Sequence, residues 1–181
     1  MEAEATEPQP PTAPQNGGEA RNERGHKNSF ILQVVQPGLA GLMDGSVSTL
    51  APIFAVAFAT HNPNTTFVVG LAAAVGAGIS MAFAEGLSDD GVLTGRGSPL
   101  LRGFIIGLMT FLGGIGHSLP FLIHNIHIAL PVAYLVVGIE LITIALIRHK
   151  YFGTKIGLSV IQVVFGGALV FLAGVLIGSK G

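Results

Sequence analysis

Apolar residues fall in five runs long enough to cross a hydrocarbon core, separated by short polar connectors. A bilayer core of about 30 Å takes about 20 apolar residues in a helix. Runs near 38–60, 67–88, 100–123, 128–148 and 156–178 meet that length. The short connectors predict antiparallel neighbours. Ahead of the first run, FILQVVQ (Phe30 to Gln36) predicts a short interfacial helix. Pro37-Gly38 then predicts a turn into the first span, because proline disfavours a helix that continues through it. Residues 1–29 are rich in Pro, Glu, Asn and Gly and almost free of apolar side chains. Such a segment cannot bury enough surface to offset its ordering entropy, so a disordered tail is predicted. It is not a secretory signal, since no apolar stretch follows a basic start. The pattern therefore predicts an all-α membrane protein: a polar tail over 1–29 and one five-span membrane domain over 30–181.

Composition agrees. Half of the residues are hydrophobic and only 10% are charged, against about 25% in an ordinary soluble domain. The 26 glycines suit close helix packing in a bilayer. Gly41 and Gly45, Gly70 with Ala74 and Gly78, Gly103 and Gly107, and Gly174 and Gly178 repeat at small-xxx-small spacing. The spacing does not separate internal packing from self-association. Net charge is -1, which gives no field for nucleic acid. The absence of Cys excludes disulfides, thiolate metal sites and cysteine nucleophiles. Arg and Lys set the orientation. Arg21, Arg24, Lys27, Arg96, Arg102, Arg148, Lys150 and Lys155 fall to one side of the predicted spans, and only Lys180 to the other. The N-terminus is predicted in the cytosol and the C-terminus outside.

Three carboxylates interrupt the apolar runs: Asp44, Glu85 and Glu140. Charge inside a bilayer is costly and survives mainly where it faces a partner, a cavity or an ion path. Counting 1.5 Å per residue from the predicted span ends places Asp44, Met81 and Glu140 roughly 9–12 Å from the cytosolic face, with Glu85 one turn nearer. Met81 and Glu85, like Asp44 and Ser48, are four residues apart and share a helix face. Carboxylate oxygen supplies charge for a divalent ion, and thioether sulfur favours transition metals over Mg²⁺ or Ca²⁺. Buried carboxylates can also exchange a proton for metal.

These residues lie in motifs. Asp44-Gly45-Ser46-Val47-Ser48 resembles the DG-x-x-S signature of the vacuolar iron transporter family, and Ser80-Met81-Ala82-Phe83-Ala84-Glu85 resembles its SMA-x-x-E signature. LSDDGVLTGRGSPLLRG, from Leu87 to Gly103, is similar to the bacterial branch, whose membrane domain is often fused to a ferritin-like (erythrin) domain. The resemblance covers about residues 30–181. It implies a dimeric five-span bundle in a bacterial inner membrane that exports Fe²⁺ or Mn²⁺ from the cytosol against protons. It implies metal-pathway roles for Asp44, Met81 and Glu85; Glu140 matches no family motif. The glutamate-rich extension of vacuolar members is replaced by SDDGVLTGRGSP, and the ferritin-like domain by the polar tail, so a separate metal-delivery protein is a candidate partner.

Other candidates are weaker. Asp89 and Asp90 either attract cations at the cytosolic mouth or cap the loop. His61, His117, His124 and His127 are predicted toward the outer side, where imidazole suits a metal-release site. No hydrolytic constellation is visible, because His117-Ser118 lacks an orienting acid in its predicted layer. The expectation is thus a secondary transporter with no resident cofactor, its metal ion being cargo, rather than an enzyme. The alternative is a non-transporting membrane scaffold or metal sensor whose intramembrane acids are structural.

Overall fold

The computed structural model describes residues 28–88, 90–91 and 94–180. Among them all regular structure is helical. Helix α1 spans Asn28–Thr60, α2 Pro63–Gly86, α3 Pro99–Ser118 with a 3₁₀ turn over Leu119–Leu122, α4 Ile126–Phe152 and α5 Ile156–Gly178. All five are long and apolar enough to cross a membrane. The tail predicted to be disordered lies outside the described residues through residue 27. Asn28 and Ser29, placed in that tail by composition, instead open α1.

The predicted break at Pro37-Gly38 does not occur. Proline in a helix loses a donor and crowds the carbonyl four residues back, which here belongs to Gln33. A π-helical turn over Ile31–Val35 immediately precedes Pro37, and Gln36 N–H donates to Ile31 O. The widened turn lets the chain continue, so FILQVVQ is the first part of α1 and not a separate interfacial helix.

The other helix ends follow local chemistry. Asn62 caps α2 by accepting from Thr65 N–H, and Ser98 caps α3 by accepting from Leu101 N–H; each is followed by proline at the first helical position. Asn125 Oδ1 accepts from His127 N–H at the start of α4. Gly153, in the left-handed region at φ 64°, ends that helix.

Small residues set the bundle. A Cβ at Gly41 or Gly45 would collide with the carbonyl oxygen of Ile106 or Thr110, so α1 and α3 run parallel in near contact. Gly103 meets Ala82, and Gly107 meets Gly78 and Ala82, so α2 and α3 run antiparallel. Gly174 meets Ala51 and Gly178 meets Ala55, which sets α5 parallel to α1. Ser46 against Glu140 and Phe54 against Tyr134 make α4 antiparallel to α1. The small-residue repeats on α1, α3 and α5 are therefore used inside one chain. Directions alternate along the sequence, as the connectors predict. Arg96, Arg102, Arg148, Lys150 and Lys155 gather at one end of the bundle, and Lys180 follows α5 at the other.

Candidate functional site

Each carboxylate within the apolar helices has a different environment. Glu85 sits one residue from the end of α2. Its Oε1 accepts from Arg102 Nε at 2.8 Å and lies 3.0 Å from Arg96 Nη2. Arg102 is fully buried, and its Nη1 also donates to Gly97 O at 3.1 Å. The α2–α3 loop closes over this cluster through left-handed glycines at Gly91 and Gly97. A Cβ on Gly97 would strike the Gln33 side chain of α1. Glu85 thus ties the loop to the cationic end of the bundle. Asp90 lies in this loop and is exposed, whereas Asp89 lies outside the described residues.

Glu140 projects from α4 toward α1 and α3. Its Oε1 is 2.5 Å from Ser46 Oγ, and its Oε2 is 3.2 Å from His117 Nδ1. The carboxylate lies where α3 has no side chain: a Cβ on Gly113 would come within 3.1 Å of Oε1, and one on Gly116 within 3.7 Å of Oε2. Ser46 Oγ is also 2.7 Å from Leu42 O. Its single hydrogen therefore serves either that carbonyl or the carboxylate. His117 is fully buried, with Nε2 3.2 Å from Ser46 O. A carbonyl only accepts, so Nε2 carries the hydrogen and donates. In the neutral ring Nδ1 then holds a lone pair. Nδ1 is near the carboxylate but makes no aligned hydrogen bond.

His117 therefore has an acid beside it, contrary to its predicted separation in an outer layer. Counting along single helices omits the angle at which they cross, and α4 and α3 meet where their residue counts differ. The trio is not a nucleophilic triad. Nε2 is spent on a backbone carbonyl, and no hydroxyl faces it as that chemistry requires.

Asp44 is two residues from Ser46, which is about 200° around α1. Ser46 faces Glu140, so the body of α1 stands between Asp44 and Glu140. The structure gives the two acids similar heights on opposite faces and does not bring them together. Asp44 is half-buried and makes no hydrogen bond or ion pair among the described residues. It belongs to an uncovered stripe at fourfold spacing, with Gln36, Ala40 and Ser48. The outward faces of α2 to α5 carry many exposed large apolar side chains, such as Phe83, Phe104, Leu135 and Phe165. Within α1 only Phe30, at its very start, is of that kind.

The structure gives the position of each residue along its helix. Asp44 is 16 residues from the first described residue of α1, or about 24 Å. Glu140 is 12 residues from the end of α4, or about 18 Å. Both lie near the middle of their helices. Met81, half-buried on α2 among residues that pack on Gly103 and Gly107, lies roughly one turn nearer the cationic end than Asp44. Among the described residues no group of three or more His, Asp or Glu side chains converges as a metal cage.

Sequence reasoning missed two partners. Ser46 lies inside the DG-x-x-S motif, but Ser48 was singled out because it shares a face with Asp44. Arg102 counted only toward orientation, although its position beside Gly103, in a small-residue repeat, places it at a tight helix contact. No family model matches the chain, and neither a curated protein nor a solved structure does.

Proposed function

We propose that this chain is an integral membrane transporter that exports a divalent transition metal, Fe²⁺ or Mn²⁺, from the cytosol in exchange for protons. It works as a homodimer whose cation path runs along the Asp44 face of α1. The carrying observation is Asp44 itself: a half-buried carboxylate at the middle of an apolar helix, without a partner among the described residues, on a stripe whose other members Gln36, Ala40 and Ser48 are exposed. Lipid is a poor neighbour for that stripe, because a charge in hydrocarbon has to face a partner or water. A second copy laid against the same stripe provides a shared, water-lined path. The DG-x-x-S and SMA-x-x-E resemblance supports the same reading and adds Met81 as a soft ligand about one turn nearer the cationic end.

In this reading metal enters at the cationic end, near Asp90, and passes Met81 to reach Asp44 and Ser48. Glu85 anchors the mouth through its arginines. The positive-inside rule puts that end in the cytosol, and the resemblance favours a bacterial inner membrane. The scaffold or sensor alternative draws on one observation, the full pairing of Glu85 by Arg96 and Arg102, which is structural in character.

Proteoliposomes carrying a metal-quenched dye and a pH dye test the proposal. Mn²⁺ or Fe²⁺ flux with an opposing proton flux is expected, and flux no greater than in empty liposomes would overturn it. Because the chain has no Cys, single cysteines report the dimer without background. Ser48→Cys is expected to cross-link two copies through a short bifunctional reagent, and Phe165→Cys, on the lipid-like face of α5, is expected not to.

A further inference from the structure

We infer that His117 Nδ1 and Glu140 Oε2 are adjacent ligands of a second divalent-cation site, enclosed within a single chain and separated from Asp44 by the body of α1. The two atoms are 3.2 Å apart. Nitrogen and oxygen ligands bind first-row metals at about 2.0–2.2 Å. Two such ligands at this separation subtend about 100° at the ion, between octahedral and tetrahedral angles. The pair is therefore spaced as adjacent ligands of one metal.

The surroundings favour that use. The carbonyl of Ser46 occupies Nε2 and leaves Nδ1 as the free donor. Metal-binding imidazoles are commonly oriented this way, by a backbone acceptor on the other ring nitrogen. His117 is fully buried, yet Nδ1 has no hydrogen-bond partner among the described residues, an expensive omission unless something else occupies the point. Ser46 Oγ holds the other carboxylate oxygen at 2.5 Å. Gly113 and Gly116 keep the adjoining space on α3 clear of side chains. Glu140 is 12% exposed, so one edge of the carboxylate remains reachable. An imidazole with a carboxylate selects Mn²⁺, Fe²⁺ or Zn²⁺ over Mg²⁺ and Ca²⁺. Coordination is completed by Ser46 Oγ or by water, since the side chains supply two strong ligands.

The inference deepens the transporter reading by giving the metal an interior station, but its test does not need transport. The full chain in nanodiscs is titrated with Mn²⁺ and examined by pulsed electron paramagnetic resonance for directly bound ¹⁴N. Wild type is expected to show that coupling. His117→Gln retains a donor toward Ser46 O but lacks Nδ1; it is expected to lose the coupling and weaken Mn²⁺ binding at least tenfold. Glu140→Gln retains the contact with Ser46 and is expected to weaken binding similarly. Asp44→Asn is expected to keep the coupling, so failure of the Asp44 path and failure of this site read out separately. No coupling in wild type, or an unchanged signal in folded His117→Gln, would overturn the site. Should His117→Gln not fold, replacing His26, His61, His124, His127 and His149 by Gln must leave the coupling intact. Its loss there would equally overturn the inference.

Discussion

Glu85 and Glu140 are both glutamates in apolar helices, yet the bundle treats them oppositely. Glu85 lies at a helix end against two guanidinium groups, one of them fully buried. Arginine stays charged in proteins, so Glu85 has a permanent counter-charge and cannot be withdrawn without breaking its ion pairs with Arg96 and Arg102. Glu140 lies near the middle of its helix against one serine and one imidazole. A neutral imidazole whose Nδ1 holds a lone pair supplies no fixed counter-charge to that carboxylate. One acid is built to hold a loop in place, and the other to accept a changeable partner. Motif membership does not reveal this: Glu85 lies in a motif and Glu140 in none, yet Glu85 has the more structural environment.

The largest expected effect breaks the comparison from the structural side. Glu85→Ala removes the carboxylate that the buried Arg102 Nε and Arg96 both meet, a loss of roughly 3–5 kcal/mol for a broken buried pair. Thermal unfolding in detergent should show a large fall. Glu140→Gln keeps an acceptor for Ser46 and strands no arginine, so its fall should be well below that of Glu85→Ala. Equal losses would erase the distinction between the two acids.

A smaller effect tests the space around Glu140. Gly113→Ala would place a methyl 2.7 Å from Leu42 O and 3.1 Å from Glu140 Oε1. Overpacking of this kind costs about 1–3 kcal/mol. Gly166→Ala, where a Cβ meets nothing within 4 Å, should be neutral or stabilising by up to about 1 kcal/mol, since alanine favours helix. The two substitutions differ only in what surrounds them, so denaturation midpoints that fail to separate would contradict the packing at Gly113. The smallest effect is expected from Ser46→Ala. It removes one hydroxyl between Leu42 O and Glu140, worth about 1 kcal/mol, and should weaken any ion bound at Glu140 more than it lowers stability.

The five helices were legible because span length and apolarity are one-dimensional properties. The caps at Asn62, Ser98 and Asn125 were written locally as well. Pro37 misled because its cost in a helix is real, but the preceding π turn, which depends on the surrounding backbone, absorbs it. Position along the helix was misjudged for a related reason. Starting α1 near residue 38 rather than at Asn28 removed about 15 Å of helix from the count, which moved Asp44 from mid-helix toward one end. The contact of His117 with Glu140 depends on how α3 and α4 cross, which is set by Gly113 and Gly116 together and by neither span alone. The uncovered polar face of α1 was half visible. Fourfold spacing linked Asp44 with Ser48, but which face remains open became clear only once the other helices were seen to pack elsewhere.

The account depends most on Asp44, the acid that no other described side chain satisfies. Reconstituted wild type and Asp44→Asn, matched for orientation and protein content, should be compared for initial Mn²⁺ flux into dye-loaded proteoliposomes. The account predicts at least a tenfold loss in Asp44→Asn with an unfolding temperature close to that of wild type. Undiminished flux through folded Asp44→Asn would contradict it.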